Sequence, residues 1–317
     1  MKIVVTGGAG FIGSNLTDAL LAAGHDVTVL DNFCTGQRRF LEQAAAQPSF
    51  RLVELDLLRD DRLVDTIDGA EVVVHLAANA DVRFGWDHPG RDVEQNLLVT
   101  HRILEACRTT GVGQLLFSST GSVYGETDVI PTPEDCPFPV QTSLYGASKA
   151  AAEGFAQAYA EGTDLRVTIF RFVSIMGPRY THGHVIDFVR KLRRDHGRLD
   201  ILGDGTQRKS YLDVSDCVAA VMSRIGQPDR GAVFNLGTPE YCTVTDSATW
   251  ICGRLGVEPQ FVYSGGDRGW IGDNPFIFLD TAKITGTGWQ PRFSIREAVE
   301  RTVDYLLANE WLLELEP

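Results

Sequence analysis

Residues 2–14 read KIVVTGGAGFIGS, a short β-branched strand that runs directly into a glycine-rich turn. Gly7, Gly10 and Gly13 form a Gly-x-x-Gly-x-x-Gly pattern, which lets the backbone turn tightly and approach a pyrophosphate at a helix N-terminus. A helix is predicted to follow at once, and then a second strand over residues 26–30. The stretch therefore predicts a βαβ unit that binds a dinucleotide.

An acidic residue, Asp31, ends the second strand about twenty residues after the turn. A carboxylate at this position is placed to accept hydrogen bonds from the adenosine ribose, and its charge would repel a 2′-phosphate. NAD is therefore favoured over NADP as the cofactor.

Strand and helix continue to alternate through the first half of the chain. Apolar strands are predicted over residues 51–55, 71–76 and 114–118, and a long helix over about 93–108. Ligands bind a parallel sheet at the carboxyl ends of its strands, so the segments after these strands are candidate site residues. The pattern predicts an α/β protein with a Rossmann-type, doubly wound parallel sheet.

The composition limits the kind of partner. The chain has 317 residues and a net charge of −13, which argues against nucleic acid and against an anionic membrane surface. No apolar run could span a bilayer, and strand-forming residues begin at Lys2, so no membrane span and no secretory signal are expected. The six cysteines lack metal-ligand spacing, so we expect reduced thiols, no metal site and a cytoplasmic location.

A tyrosine and a lysine stand four residues apart in YGASK, residues 145–149, within a stretch predicted to be helical. Side chains at this spacing leave the same face of a helix. A neighbouring ammonium favours a phenolate, so Lys149 is expected to lower the pKa of Tyr145 and make it a general base. Residues 118–122 are rich in hydroxyls where a strand ends; they either contact the substrate beside Tyr145 or form a Ser/Thr turn.

These features resemble the extended short-chain dehydrogenases, and among them the NAD-dependent nucleotide-sugar epimerases and dehydratases. The resemblance covers essentially the whole chain. It depends on residues 6–14, 31–32, 75–78, 118–120, 145–149 and 203–207. It implies an NAD-binding Rossmann domain over residues 1–173 and about 206–236, and a smaller α/β nucleotide-sugar-binding domain over about 174–205 and 237–317.

The resemblance also implies roles for individual residues. Tyr145 would be the catalytic base, Lys149 would hold the nicotinamide ribose, and Thr120 would share the proton path. The residues implied to bind NAD are Gly7, Gly10, Phe11, Ile12, Gly13, Asp31, Asn32, Asp56, Leu57, Ala77, Ala78, Ser118, Tyr145, Lys149 and Phe172.

The residues after Thr120 indicate a reaction. Related dehydratases and uronate decarboxylases carry an acid there, whereas this chain has Gly121 and Ser122, as 4-epimerases do. We therefore expect an epimerase that inverts C4 of a nucleotide-diphosphate sugar, of the UDP-glucose/galactose or UDP-uronic acid type, through a 4-keto intermediate. A 4-ketoreductase, a C2-epimerase of a deoxysugar nucleotide and a catalytically silent dinucleotide-sensing regulator stay open as alternatives.

The second half departs from the family pattern where a diphosphate would bind. Ser174 replaces the usual asparagine, and Lys209 and Trp270 replace the usual arginines, so the phosphate contacts would differ in detail. Nearby arginines are expected to supply the charge from shifted positions, and residues 276–278 would line the sugar pocket or pack in the core. The residues expected to bind substrate are Thr120, Gly121, Ser122, Ser174, Arg179, His184, Lys209, Arg208, Arg268 and Asp273.

The same resemblance implies a homodimer. The helices around residues 93–108 and 145–161 would pack against their copies as a four-helix bundle.

Overall fold

The computed structural model describes residues 1–80, 85–137, 140–269, 274 and 276–315. Its strands are β1 (Lys2–Thr6), β2 (Asp26–Asp31), β3 (Phe50–Glu54), β4 (Val72–His75), β5 (Gln114–Thr120), β6 (Arg166–Phe172), β7 (Ser174–Met176), β8 (Arg198–Ile201), β9 (Arg208–Lys209), β10 (Tyr211–Asp213), β11 (Ala232–Leu236), β12 (Cys242–Thr243), β13 (Gln260–Tyr263) and β14 (Phe276–Ile277). Its α-helices are α1 (Phe11–Ala22), α2 (Glu42–Ala45), α3 (Leu63–Ile67), α4 (Pro89–Asp92), α5 (Val99–Thr110), α6 (Leu144–Gly162), α7 (His184–Arg194), α8 (Val214–Ser223), α9 (Val244–Leu255), α10 (Ala282–Thr285) and α11 (Ile295–Ala308).

Seven strands form one parallel sheet in the order β3-β2-β1-β4-β5-β6-β11. β1 lies between β2 and β4, so the direction of winding reverses beside β1. In open α/β sheets such a reversal leaves a crevice at the carboxyl ends of the strands. The predicted Rossmann-type fold is confirmed.

Helices cover both faces of this sheet, which explains why its strands are apolar throughout. Every described residue of β4 and β5 is buried. Alternate residues of β1 pack into different cores, because successive side chains point to opposite faces of a strand. Ile3 and Val5 belong to one core and Val4 to the other.

Of the two helices predicted beside the cleft, the first differs locally from the prediction. The helix predicted over about 93–108 begins as a π-helical segment, Val93–Leu98, and continues as α5 to Thr110. α6 begins after Ser143, whose Oγ accepts a hydrogen bond of 3.0 Å from the amide of Gly146. This cap fixes the first turn of α6, which carries the predicted catalytic tyrosine.

The second half adds small sheets around α7, α9 and α11. β7 pairs with β10, β8 pairs with β13, and β9 lies between β12 and β14, whereas β11 returns to the large sheet beside β6. The proposed domain boundaries stay predictions. Within the described ranges, every helix is too short or too polar to cross a lipid bilayer.

Candidate active site

The glycine-rich turn lies against the end of β4. Gly7 has a φ of +69°, and a Cβ added to it would lie 2.8 Å from the amide nitrogen of Ala77. A Cβ on Gly13 would lie 2.2 Å from the carbonyl oxygen of Gly7. Gly10 precedes α1 with no side-chain cap among the described residues, so the helix end is available to an anion.

Asp31 is fixed at the end of β2 beside this turn. Its Oδ2 accepts a hydrogen bond of 2.9 Å from the amide of Ala9, and its Oδ1 accepts one of 2.8 Å from the amide of Phe33. Burial raises the pKa of Asp31, and the two amide hydrogen bonds oppose that rise. Donors on both oxygens hold the carboxylate in one orientation at the predicted ribose position.

Other residues expected to bind NAD also follow the ends of strands. Ala77 follows β4, and its amide donates to Thr6 Oγ1 at 3.3 Å. Asp56 follows β3, and its Oδ1 accepts a hydrogen bond of 2.9 Å from the amide of Leu58. Phe172, the last residue of β6, pairs in register with Thr120, the last residue of β5. The parallel sheet thus brings these residues to one edge.

These features fit a dinucleotide. A Cβ at Gly7 or Gly13 would collide with backbone, so both glycines let the turn close into a compact cradle at the start of α1, and a fixed carboxylate stands next to this cradle at the end of β2. The cradle would hold the pyrophosphate, and Asp31 would hold the adenosine ribose.

The predicted catalytic residues all meet the end of β5. The Lys149 ammonium donates a hydrogen bond of 2.9 Å to the carbonyl oxygen of Ser118, and the hydroxyls of Tyr145 and Thr120 are hydrogen-bonded to each other. Thr120 Oγ1 also donates to Ser122 Oγ at 3.2 Å and accepts from the Ser122 amide at 3.1 Å. The structure therefore brings together the tyrosine, threonine and lysine that the sequence singled out.

The expected effect of the lysine on the tyrosine is not found. Part of the Tyr145 side chain is exposed, but its hydroxyl is surrounded by protein, and this burial raises the pKa of Tyr145 to about 12. The Thr120 hydrogen bond opposes the rise and the Asp92 charge adds to it. Burial also lowers the pKa of Lys149 to about 8, against the charge of Glu153. The prediction was wrong because burial, and not the Lys149 charge, dominates the pKa of Tyr145.

On the predicted substrate side, His184 and Lys209 lie close together. His184 begins α7, and its Nε2 is 2.7 Å from Ser247 Oγ. Burial, and then the Lys209 charge, lower the pKa of His184 to about 4, so the imidazole is neutral at physiological pH. The Lys209 ammonium donates to the carbonyl oxygen of Asn274. A lysine beside a helix N-terminus favours an anion.

Three arginines expected to bind substrate have contacts within the protein. Arg179 forms an ion pair of 2.5 Å with Asp18 of α1. Arg268 pairs with both oxygens of Glu126, at 2.5 and 2.9 Å. The Arg208 guanidinium stacks 4.0 Å from the centre of the Phe276 ring. These neighbours hold the three guanidinium groups, and the expected role of each in substrate binding stays a prediction.

The other residues expected near the substrate are Ser174 and residues 276–278. Ser174 is exposed at the start of β7. Ile277 packs on the active-site loop, since a Cβ on Gly121 would lie 3.1 Å from Ile277 Cγ2. Phe276 and Phe278 instead stack on each other. Both interpretations of residues 276–278, lining of the sugar pocket and packing in the core, stay predictions.

Two other predicted positions, Trp270 and Asp273, lie outside the described residues. In the described ranges, no group of three or more His, Cys, Asp or Glu side chains is arranged to hold a metal ion.

The sequence reasoning missed the charges behind Lys149. Glu153 and Arg171 form a buried ion pair of 2.7 Å, with side chains only 2% and 4% exposed. A signal was present, because Glu153 follows Lys149 by four residues and Arg171 lies between Phe170 and Phe172 in a predicted strand. Asp92 was also missed; it is buried and accepts from the Asn79 side-chain amide at 2.9 Å.

A profile of the NAD dependent epimerase/dehydratase family matches residues 3–237. The chain belongs to this family, which confirms the resemblance seen in the motifs. It is similar to the UDP-glucose 4-epimerase of Mycolicibacterium smegmatis, with 33% identity over 313 residues, covering 96% of this chain and 98% of that protein.

Two solved structures extend the likeness to the whole fold. A crystal structure of a UDP-galactose 4-epimerase is 37% identical with a TM-score of 0.86, covering 98% of this chain and 100% of that one. A UDP-glucuronic acid 4-epimerase from Bacillus cereus is 27% identical with a TM-score of 0.90 over the same shares. That protein is a Tyr-to-Phe variant in complex with UDP-4-deoxy-4-fluoro-glucuronic acid and NAD.

Proposed function

We propose that this protein is an NAD-dependent epimerase that inverts C4 of a nucleotide-diphosphate sugar. The observation that carries the proposal is the meeting of Tyr145, Thr120 and Lys149 at the end of β5, on the sheet edge that carries the glycine cradle. The neutral Gly121 after Thr120 supports epimerisation, because its neighbour Ile277 leaves little room there for a larger, acidic side chain. The 4-epimerases similar over nearly the whole chain support the same reaction.

The residues of the chain divide the work of proton transfer and positioning. NAD, when bound, supplies a hydride acceptor and a positive charge at the nicotinamide ring. Tyr145 takes the proton of the sugar 4-hydroxyl at its Oη and returns it after the sugar has turned, and Thr120 holds that oxygen. Lys149 anchors the ribose while tied to β5. Because the pKa of Tyr145 is about 12 without ligands, we expect the added positive charge to lower it.

The substrate is proposed to be a UDP-hexose or its uronic acid. Lys209 is the candidate cation for the diphosphate, since it lies beside the neutral His184 at the start of α7. The relatives act on, or were crystallised with, UDP-glucose, UDP-galactose or UDP-glucuronic acid types, which supports a uridine nucleotide without choosing between sugars.

The proposed epimerisation is tested by measuring whether the protein forms the C4 isomer when no reductant is added. Purified protein with bound or added NAD is incubated with UDP-galactose and with UDP-glucuronic acid, and products are separated by chromatography. We expect one pair of C4 epimers to interconvert with no net consumption of NADH. Tyr145→Phe should abolish turnover and leave NAD binding intact. Consumption of one reductant per product would contradict the epimerase and favour a reductase.

We also propose a homodimer formed through α5 and α6, in a cytoplasmic protein. Val93 and Leu98, on the π-helical segment that leads into α5, and Phe155, on α6, are 48%, 45% and 44% exposed, and exposed apolar side chains grouped on neighbouring helices are typical of an interface. Light scattering at micromolar concentration should give twice the chain mass. Phe155→Glu should yield monomer, whereas Val129→Glu, at an exposed site elsewhere, should not.

A further inference from the structure

The strand end that holds Lys149 and Tyr145 also holds a third residue of α6. Ser119 Oγ donates a hydrogen bond to the Glu153 carboxylate. Glu153 is 1% exposed and follows Lys149 by four residues, so both side chains leave the same face of the helix. A buried carboxylate therefore lies one helical turn behind the catalytic lysine.

Arg171 of β6 clamps this carboxylate from the other side. Its Nε lies 3.1 Å from Glu153 Oε1, and its Nη2 lies 2.7 Å from Oε2. Its Nη1 donates to Tyr124 Oη at 2.6 Å and to the carbonyl oxygen of Glu134 at 2.9 Å. Because a buried ion pair stabilises a fold little more than apolar residues of the same volume, stability alone does not account for these charges behind Lys149.

The other titratable groups near Lys149 provide no counter-charge. His75 of β4 is neutral, since burial and then the lysine charge lower its pKa to about 3. Tyr145 is protonated, with a pKa of about 12, and the Asp92 charge acts on Tyr145. The carboxylate that acts on the lysine, within the part of the chain described, is that of Glu153.

We propose that Glu153 is a positioning residue for the catalytic site: its carboxylate, clamped by Arg171 and Ser119, keeps the Lys149 side chain charged and directed at the Ser118 carbonyl through neutral pH. Burial disfavours the ammonium, and the carboxylate one turn away offsets that cost. This proposal rests on the epimerase function proposed above only for its kinetic test.

The first test needs no catalysis. Comparing the chain with Lys149→Met isolates the contribution of this lysine to the pH dependence of stability. In a Glu153→Gln background, the rise in stability that depends on Lys149 should start about one pH unit lower, because the carboxylate that favours the ammonium has been removed. The four proteins are unfolded with urea from about pH 6 to 11, a range that spans the lysine titration.

The second test is kinetic. In Glu153→Gln the alkaline limb of the kcat/KM profile should move to lower pH. The size of this shift should equal that of the Lys149-dependent rise in stability. Glu161→Gln removes an equal charge from an exposed site on α6 and should leave both profiles unchanged. Glu153→Asp keeps the charge and should restore most of the alkaline limb.

Glu153→Gln leaves the buried Arg171 guanidinium facing an amide, and the variant can fail to fold. Glu153→Gln with Arg171→Met removes both charges, and it should shift the lysine titration in the same direction but by less, because a cation is lost with the carboxylate. A folded variant whose lysine titration and alkaline limb stay in place would overturn the proposal, and so would an equal shift in Glu161→Gln. If the parent chain lacks epimerase activity, the proposed function fails, while the stability comparison still decides the role of Glu153.

Discussion

The Lys149 ammonium donates a hydrogen bond of 2.9 Å to the backbone carbonyl of Ser118, in the interior of the protein. The contact ties α6 to the last residues of β5. It also places a charge where water does not reach, and burial lowers the pKa of Lys149 to about 8. The charge state of this lysine therefore couples the catalytic site to pH.

Lys149→Met should change how stability depends on pH. The folded-state pKa of about 8 lies below the 10.5 of an ordinary lysine, so between these values the unfolded chain binds more protons. Lys149 therefore destabilises the fold below about pH 8, and this penalty of about 3 kcal/mol is relieved as the pH rises to about 10.5. Urea denaturation should show that rise in the parent and lose it in the variant. Parallel curves for both proteins would contradict the prediction.

Thr120→Val should slow the reaction more than it weakens substrate binding. The valine keeps the shape of the side chain and removes the hydroxyl that bonds Tyr145 and opposes the rise in its pKa. We expect kcat to fall about 100-fold with a much smaller change in KM. Initial rates at saturating nucleotide sugar measure this. Thr28→Val, on β2, is the matched control and should retain the parent rate; a similar loss there would show that the effect is not specific to the site.

Asp31→Ala should weaken NAD binding and reduce the preference for NAD over NADP. The substitution removes the acceptor of the Ala9 and Phe33 amides and the negative charge at the predicted ribose position. Titration calorimetry should show NAD affinity lower by about tenfold or more. Asp26→Ala removes an exposed carboxylate from the start of the same strand and should bind NAD normally. Unchanged affinity in Asp31→Ala would remove Asp31 from the cofactor site.

Gly13→Ala should be strongly destabilising or should abolish NAD binding. The alanine Cβ would lie 2.2 Å from the Gly7 carbonyl oxygen, and the backbone must shift to relieve so close a contact. Gly253→Ala, within α9, meets nothing within 4 Å and should stabilise the fold by up to about 1 kcal/mol. Thermal unfolding with and without NAD compares the two. A Gly13→Ala protein with parental melting temperature and NAD affinity would show that the turn does not need this glycine.

The cofactor half was predictable because its signals are local. Residues 2–14 carry strand, turn and helix start in a single stretch, and the observed β1, glycine turn and α1 follow it. The parallel sheet followed from the apolar strands, since a strand covered on both faces must be apolar along its length. The spacing of Tyr145 and Lys149 likewise placed them on one helix face.

The charges around the substrate were not predictable, because distant residues decide them. Arg179 pairs with a carboxylate 161 positions away, and Arg268 with one 142 positions away. A sequence window shows an arginine near a binding motif and gives no sign of its partner. The prediction of a lowered pKa for Tyr145 failed for a related reason. Burial depends on the whole fold, whereas the spacing of residues in the sequence reports only the nearest helical neighbour.

The predicted catalytic residues lie on β5 (Thr120) and α6 (Tyr145 and Lys149). Lys209 and His184 lie on β9 and α7, in the second half of the chain. If Lys209 and His184 hold the substrate as proposed, substrate preference can change while the proton-transfer residues stay intact. For engineering, a mutant library confined to β9 and the start of α7 would explore new sugar nucleotides at little risk to turnover. An inactivated Tyr145→Phe protein would, in turn, serve as a reagent that captures those ligands without converting them.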